Sequence, residues 1–198
     1  VDLRDLLARR RMVRSFDATP VDPEWLAALC ADALRAPTAG NAAGVRLHVV
    51  DAPRLPAYFE AATDAAWRAS SRRYAGLARA GAGVIVTTRV EDYLSRYAEA
   101  DKVASGLSER DAWPVPYWFV DAAMATMALL LLVEEAGWQA TIWGNFRHAD
   151  RVLAFAGARD DELVATVLVG RADGSDARST STIRQTPARA ARVRRVGT

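Results

Sequence analysis

The sequence has 198 residues, 51% of them hydrophobic and 25% charged, which supports one domain with its own core and excludes a disordered chain. The formal net charge is only +2, carried by arginines with Lys102 as the single lysine, and no aromatic-interleaved basic stripe is present, so a nucleic-acid-binding module is not indicated. Cys30 is the only cysteine, so no internal disulfide forms, and one Cys with two distant His, His48 and His148, gives no metal-ligand spacing.

The elements are predicted in chain order. Asp2 caps a helix over 2–11 with Leu3, Leu6 and Leu7 on one face. Residues 13–16 break from it in extended form. Asp22 caps a second helix with Pro23 at its first position and Glu24 in its first turn, running to about Arg35. Cys30 lies on its apolar face among Leu26, Leu29, Ala33 and Leu34 and reads as a buried, inert thiol. Residues 37–44 form a loop of small residues, and 45–50 a strand that ends at 51–53. A helix starts within 53–58, and 61–80 continues as an Ala- and Arg-rich helical stretch. The run 83–88 is a buried strand, 92–107 a polar helix, and 111–118 irregular because of Pro114 and Pro116. The segment 121–136 is a long apolar helix stopped by Gly137. Its continuous apolar run, 122–133, is shorter than the roughly 20 residues that span a bilayer. An extended segment at 140–143, a short helix at 149–155 and a strand at 163–170 follow, and the remainder is polar. Helices around a central sheet give an α+β layout in one domain, 1–198, with 171–198 an extended C-terminal arm. A helix as apolar as 121–136 needs partners on every side, which a sheet and a second subunit would supply. No secretory leader is visible and a cytoplasmic protein is expected. The start at Val1 leads us to expect a few residues before it.

Three segments carry candidate chemistry. In Arg10-Arg11-Met12-Val13-Arg14-Ser15-Phe16, three guanidinium forks stand at a helix-to-strand break. They suit a phosphate or, as the plain alternative, a solvated helix end whose cations meet the C-terminal dipole. In Ala36-Pro37-Thr38-Ala39-Gly40-Asn41, small residues let backbone amides approach a planar ligand, and Asn41 both donates and accepts. Alone, this segment reads equally as an ordinary loop. Gly137 to Phe146 leads into Ile142-Trp143-Gly144, which can set backbone amides beside a ring or be a buried aromatic strand. Trp113 to Trp118 reads as a pocket wall or as a core or subunit-contact cluster. His48 and His148 read as structural, and the tail arginines Arg184, Arg189, Arg192, Arg194 and Arg195 as a solvated tail or, as the alternative, a site for an anionic group. No GxGxxG, no P-loop and no Ser-His-acid arrangement occurs.

Taken in order, the three segments resemble the nitroreductase family. Its R-R-S-x-R-x-F opening is similar to Arg10 to Phe16, with Met12 in place of Ser. Its A-P-S-x-x-N-x-Q-P-W resembles Ala36 to Asn41, with Ala43-Gly44-Val45 where Q-P-W would stand. Its G-L-G-T-x-W-I-G is loosely similar to Gly137 to Gly144, with Trp138-Gln139 and Trp143 as departures, and its V-x-G strand end to Val167-Leu168-Val169-Gly170. The resemblance implies an α+β fold with a mixed or antiparallel sheet flanked by helices, in an intertwined homodimer with FMN at the interface. It implies that Arg10, Arg11 and Arg14 bind the phosphate, ribityl chain and N1/C2 edge of FMN, Met12 contributing its backbone amide. It implies that Pro37, Thr38, Ala39 and Asn41 line the ring from the partner subunit, and that Ile142, Trp143 and Gly144 lie along it near N5. Arg184, with Arg178 as the substitute, would complete the phosphate site. The activity implied is ping-pong hydride transfer from NAD(P)H through FMN to an electron-poor small molecule such as a nitroaromatic or quinone. No side chain is expected to act as catalytic acid or base. A flavin-sequestering protein, or the same fold with dehalogenation, dehydrogenation or flavin destruction as its reaction, is the alternative. No nucleic acid and no membrane is an expected partner.

Overall fold

The computed structural model describes residues 2–144, 147–176 and 188–196. Helix α1 (Leu3–Arg9) starts at Asp2, whose side chain accepts the Arg4 amide at 2.7 Å, and α2 (Pro23–Ala33) starts at Asp22, whose side chain accepts the Glu24 amide at 3.0 Å. Both caps satisfy amides that the first turn leaves orphaned.

Strands β1 (Val45–Asp51), β2 (Ala82–Thr88), β3 (Gln139–Trp143) and β4 (Glu162–Gly170) form one sheet in the order β1-β2-β4-β3, with every pair antiparallel. All residues of β2 are buried, as its β-branched sequence requires of a strand covered on both faces. A register shift between Val86 and Thr87 kinks it against β4.

Helix α7 (Tyr117–Glu135) lies with α2 on one face, where Ala122, Ala125, Leu129 and Val133 meet Val84, Val86, Val167 and Val169. Helices α3 (Leu55–Ala62) and α8 (Ala149–Ala156) cover the other face, packing Leu55, Tyr58, Phe59 and Val152 on Ile85 and Leu168. A third cluster joins Tyr93 of α6 (Val90–Tyr97) to Trp113 and Trp118. The Trp113 to Trp118 stretch is thus largely a packing cluster; its Trp113 indole donates to Leu107 O at 2.8 Å.

Three boundaries differ from expectation. The stretch 61–80 is not one helix but the end of α3 followed by α4 (Ala65–Ser70) and α5 (Tyr74–Leu77). Thr63 turns its hydroxyl back onto Phe59 O, and Arg68 Nη1 takes Thr63 O at 3.0 Å. Side chains therefore occupy carbonyls that a continuous helix would use. The polar helix ends at Tyr97, and α7 begins four residues earlier than expected, at Tyr117. With 19 residues and a mean hydropathy of 1.5, α7 is long and apolar enough to cross a membrane by length and composition; here it is the central helix packed on the sheet. Its outward side nevertheless stays apolar, with Phe119, Val120 and Met124 each more than one third exposed.

Candidate functional site

The first and third segments lie side by side. Met12 bridges to Ala140 in parallel, the Val13 amide donates to Ala140 O at 3.2 Å, and the Ile142 amide reaches Met12 Sδ at 3.4 Å. Because β3 is an edge strand, its outer groups need such a partner. Past β4, residues 171–176 run along the other flank: Phe16 bridges Ala172, and the Arg14 amide donates to Asp176 Oδ2 at 3.2 Å. Gly76 of α5 packs against the same segment, where a Cβ would stand 2.5 Å from Arg14 O.

The arginines divide by role. Arg9 is anchored, its Nε 3.3 Å from Glu134 Oε1 at the end of α7. Arg11 is exposed. Arg10 is half-buried, and its Nε and Nη1 are buried with no acceptor among the described residues. Arg14 is half-buried and donates through Nη1 to Met12 O at 3.2 Å. Beside it opens a cavity of about 200 Å³ lined by Arg14, Ser71, Arg73, Thr141, Ile142 and Trp143. The Thr141 hydroxyl is buried with no partner among the described residues. A buried donor left unsatisfied costs about 1–3 kcal/mol, more when charged, so this donor set calls for an acceptor-rich, anionic group. Arg73 was not legible in the sequence; nothing distinguishes it from its neighbour Arg72 before α5 brings it to this cavity. Arg184 and Arg178 lie outside the described residues.

The second segment forms a stiff ledge elsewhere. The Ala39 amide and the Tyr93 hydroxyl both donate to Asp121 Oδ2, at 2.7 and 3.0 Å, and the Asp121 side chain is buried. Arg96 Nε donates to Gly40 O at 2.9 Å while its two terminal nitrogens grip Asp101, each at 2.7 Å. Thr38 Oγ1 accepts the Ala43 amide at 3.3 Å. Gly40, Asn41 and Ala43 all have positive φ, 62°, 58° and 54°, conformations that side-chain-bearing residues adopt at a cost and that the surrounding bonds must hold. Burial, then the Asp121 charge, pushes the Tyr93 phenol upward from its ordinary pKa, so it stays a donor. The sequence signal for Asp121 was available: it is the one charge in the run 117–133.

Within one chain the ledge does not reach the arginines. Asp121 holds it near the start of α7, whereas Arg9 binds Glu134 at the other end. At 1.5 Å per residue those anchors are roughly 20 Å apart. Neither Pro37, Thr38, Ala39 nor Asn41 lines the cavity beside Arg14.

A second chamber of about 300 Å³ adjoins the first, sharing Trp67 and Trp143 as walls, with Ala62, Thr63, Asp64, Gly144, Arg147 and His148 around it. The two indoles stack at 5.8 Å and 21°, and Trp143 also packs on Phe59 at 5.4 Å and Tyr58 at 6.0 Å. Its ring is therefore turned into the aromatic cluster under the sheet. His148 has φ 58° and places Nε2 2.9 Å from Asp64 Oδ1.

His48 belongs to a separate network: Asp161 accepts from Thr87 Oγ1 at 2.7 Å and from Arg89 Nε at 3.0 Å, and Thr87 Oγ1 is 2.9 Å from His48 Nε2. Because Asp161 takes the Thr87 proton, Thr87 accepts from His48 Nε2–H. Cys30 is buried, which pushes its thiol up to about 12.

The nitroreductase family model matches residues 7–171. The chain belongs to the nitroreductase family. Solved structures of the same fold include an enone reductase of gut-bacterial fatty-acid saturation metabolism, 21% identical, covering 94% of this chain and 98% of that one with a TM-score of 0.68. The Lactococcus lactis nitroreductase CinD, solved with nicotinic acid, is 15% identical over 94% and 100% of the two chains with a TM-score of 0.70. An Exiguobacterium sibiricum protein solved in complex with FMN is 16% identical over 94% and 98%, with a TM-score of 0.61. No curated protein sequence matches this chain. For this nitroreductase-family chain, likenesses at such identities establish the α+β fold with its antiparallel sheet.

Proposed function

We propose that this chain is an FMN-dependent oxidoreductase that takes electrons from NAD(P)H and reduces an electron-poor small molecule, working as a cytoplasmic homodimer. One observation carries the reading: Arg14, Arg73 and the unpartnered Thr141 hydroxyl line one cavity beside β3, and the same N-terminal segment holds Arg10, whose buried Nε and Nη1 have no acceptor among the described residues. FMN fits that need, since its phosphate, ribityl hydroxyls and pyrimidine carbonyls are acceptors. The family membership and the neighbour solved with FMN agree with it.

FMN, when bound, supplies hydride acceptance and hydride donation, so that donor and acceptor react in turn at one centre. The chain's own groups bind and orient it. Arg10 and Arg14 are the residues to hold its anionic parts, with Arg11 at the exposed rim. A cation there also stabilises negative charge that develops on reduction. Met12 holds β3 in place through its backbone and its thioether, and Ile142, Trp143 and Gly144 provide the strand edge. Trp67 and Trp143 keep water from the inner wall. The ledge of Pro37, Thr38, Ala39 and Asn41 enters the site from a second copy. Two features support this: its distance from the arginines in one chain, and the exposed apolar side of α7, with Val120 37% and Met124 36% exposed. Unpartnered apolar faces of this kind mark association surfaces.

The test is anaerobic reduction. The protein loaded with FMN is mixed with NADH or NADPH under argon, and loss of the oxidised flavin absorbance is followed, then its return on adding a quinone or nitroaromatic. Bleaching and recovery within seconds support the reading. Bands that persist with both donors contradict it and favour a flavin-sequestering protein.

A further inference from the structure

The chamber between Trp67 and His148 has walls of two different kinds. One side is aromatic, formed by the Trp67 and Trp143 indoles. The other is charged, with Asp64, Arg147 and His148 at the rim. These charges are not equivalent. Asp64 has its carboxylate against His148, 2.9 Å from Nε2, so its charge is directed at the imidazole. Arg147 is exposed and has no acceptor among the described residues. Among the described residues that line the chamber, Arg147 is therefore the cation free to take an anion. The left-handed backbone of His148, φ 58°, immediately follows Arg147. At about 300 Å³ the chamber is at the small end of ligand pockets, the size for a single ring or a short conjugated chain.

We propose that this chamber selects a conjugated carboxylic acid, with its planar unsaturated part against the Trp67 face and its carboxylate on Arg147. The inference deepens the proposed function: it rests on the neighbouring chamber being the cofactor site and names the substrate class admitted next to it. The shared indole wall sets the planar part of the acid next to Gly144 and the β3 edge, where reduction would occur. A neutral analogue keeps the aromatic contact and loses the guanidinium–carboxylate bonds. A cationic analogue meets Arg147 with like charge and finds Asp64 already engaged.

Isothermal titration calorimetry of the FMN-loaded protein, without NAD(P)H, compares 4-nitrobenzoate with neutral 4-nitrobenzamide. The acid binds tighter by roughly tenfold or more, the factor expected of one charge-assisted hydrogen-bonding contact. Arg147→Gln removes that preference while leaving amide binding unchanged, and Trp67→Leu weakens both probes. Equal affinity for acid and amide, no binding of either at millimolar concentration, or a preference that survives Arg147→Gln overturns the inference. The same titrations on protein without FMN separate the two readings. An acid preference in a protein that cannot bind FMN leaves the chamber assignment standing and removes the cofactor, whereas FMN binding without the preference does the reverse.

Discussion

The ledge at 37–44 depends on one buried carboxylate, and replacing Asp121 tests that dependence. Asp121 Oδ2 accepts from the Ala39 amide at 2.7 Å and from the Tyr93 hydroxyl at 3.0 Å, and the residue is 1% exposed. Asp121→Ala strands both donors away from water. At about 1–3 kcal/mol for each unsatisfied buried donor, the loss is roughly 2–6 kcal/mol, offset in part by no longer burying a charge. Against a typical domain stability of about 5–15 kcal/mol, that lowers the urea midpoint markedly. Asp121→Asn keeps the acceptor oxygen and replaces charge-assisted bonds with neutral ones of about half the strength, so a loss near 1 kcal/mol is expected. Tyr93→Phe removes one donor with its partner still bound to Ala39 and costs about 1 kcal/mol. In a double-mutant cycle of Asp121→Ala with Tyr93→Phe, the second change costs little once the acceptor is gone. Equilibrium urea unfolding of the four proteins measures this. An Asp121→Ala midpoint indistinguishable from the parent, or full additivity in the cycle, refutes the account of the ledge.

Other consequences are separable. Arg10→Leu removes a half-buried guanidinium whose Nε and Nη1 have no acceptor among the described residues; the FMN-free protein should be as stable as the parent or more so, while FMN affinity falls by roughly tenfold to hundredfold, read by thermal unfolding and flavin fluorescence. Burial above all lowers the His48 pKa from 6.5, with Arg46 acting in the same direction and Asp161 opposing. The folded state therefore binds the proton less readily than the unfolded one. The resulting stability is present above pH 6.5 and is lost as pH falls through the lower folded value, and His48→Gln flattens this part of a urea-midpoint profile. Cys30, with its thiol near 12, should resist a thiol-specific disulfide reagent in the native protein and react on unfolding. Met124→Glu places a charge on the exposed apolar side of α7, and light scattering should then find a lower mass than the parent's if that face joins two copies.

The parts that the sequence made legible were those set by local chemistry. Asp2 and Asp22 cap helices because their side chains accept amides two residues on. The apolar run that becomes α7 and the β-branched run that becomes β2 needed only pattern to be recognised. The placement of Met12 beside Ala140 was not legible, since neither its residue type nor the motif order names that partner. Less legible was whatever depends on distant partners. The helical composition of 61–80 concealed two breaks, because Thr63 and Arg68 bond to Phe59 and Thr63 carbonyls rather than to solvent. Arg73 became part of the site through the turn that those breaks create. Asp121 is the one charge in the run 117–133 but was read only as the start of an apolar helix, because its partners, Ala39 and Tyr93, come from segments 82 and 28 residues away. The inward packing of Trp143 likewise required Phe59 and Trp67 from other elements.

The central claim, that the arginine-lined cleft beside β3 holds FMN, is tested most directly by titrating the purified protein with FMN and following flavin fluorescence and absorbance, alongside Arg10→Leu and Arg14→Leu variants. The account predicts saturable binding by the parent and weakened binding by both variants. Absence of binding by the parent, or equal binding by all three, would contradict it.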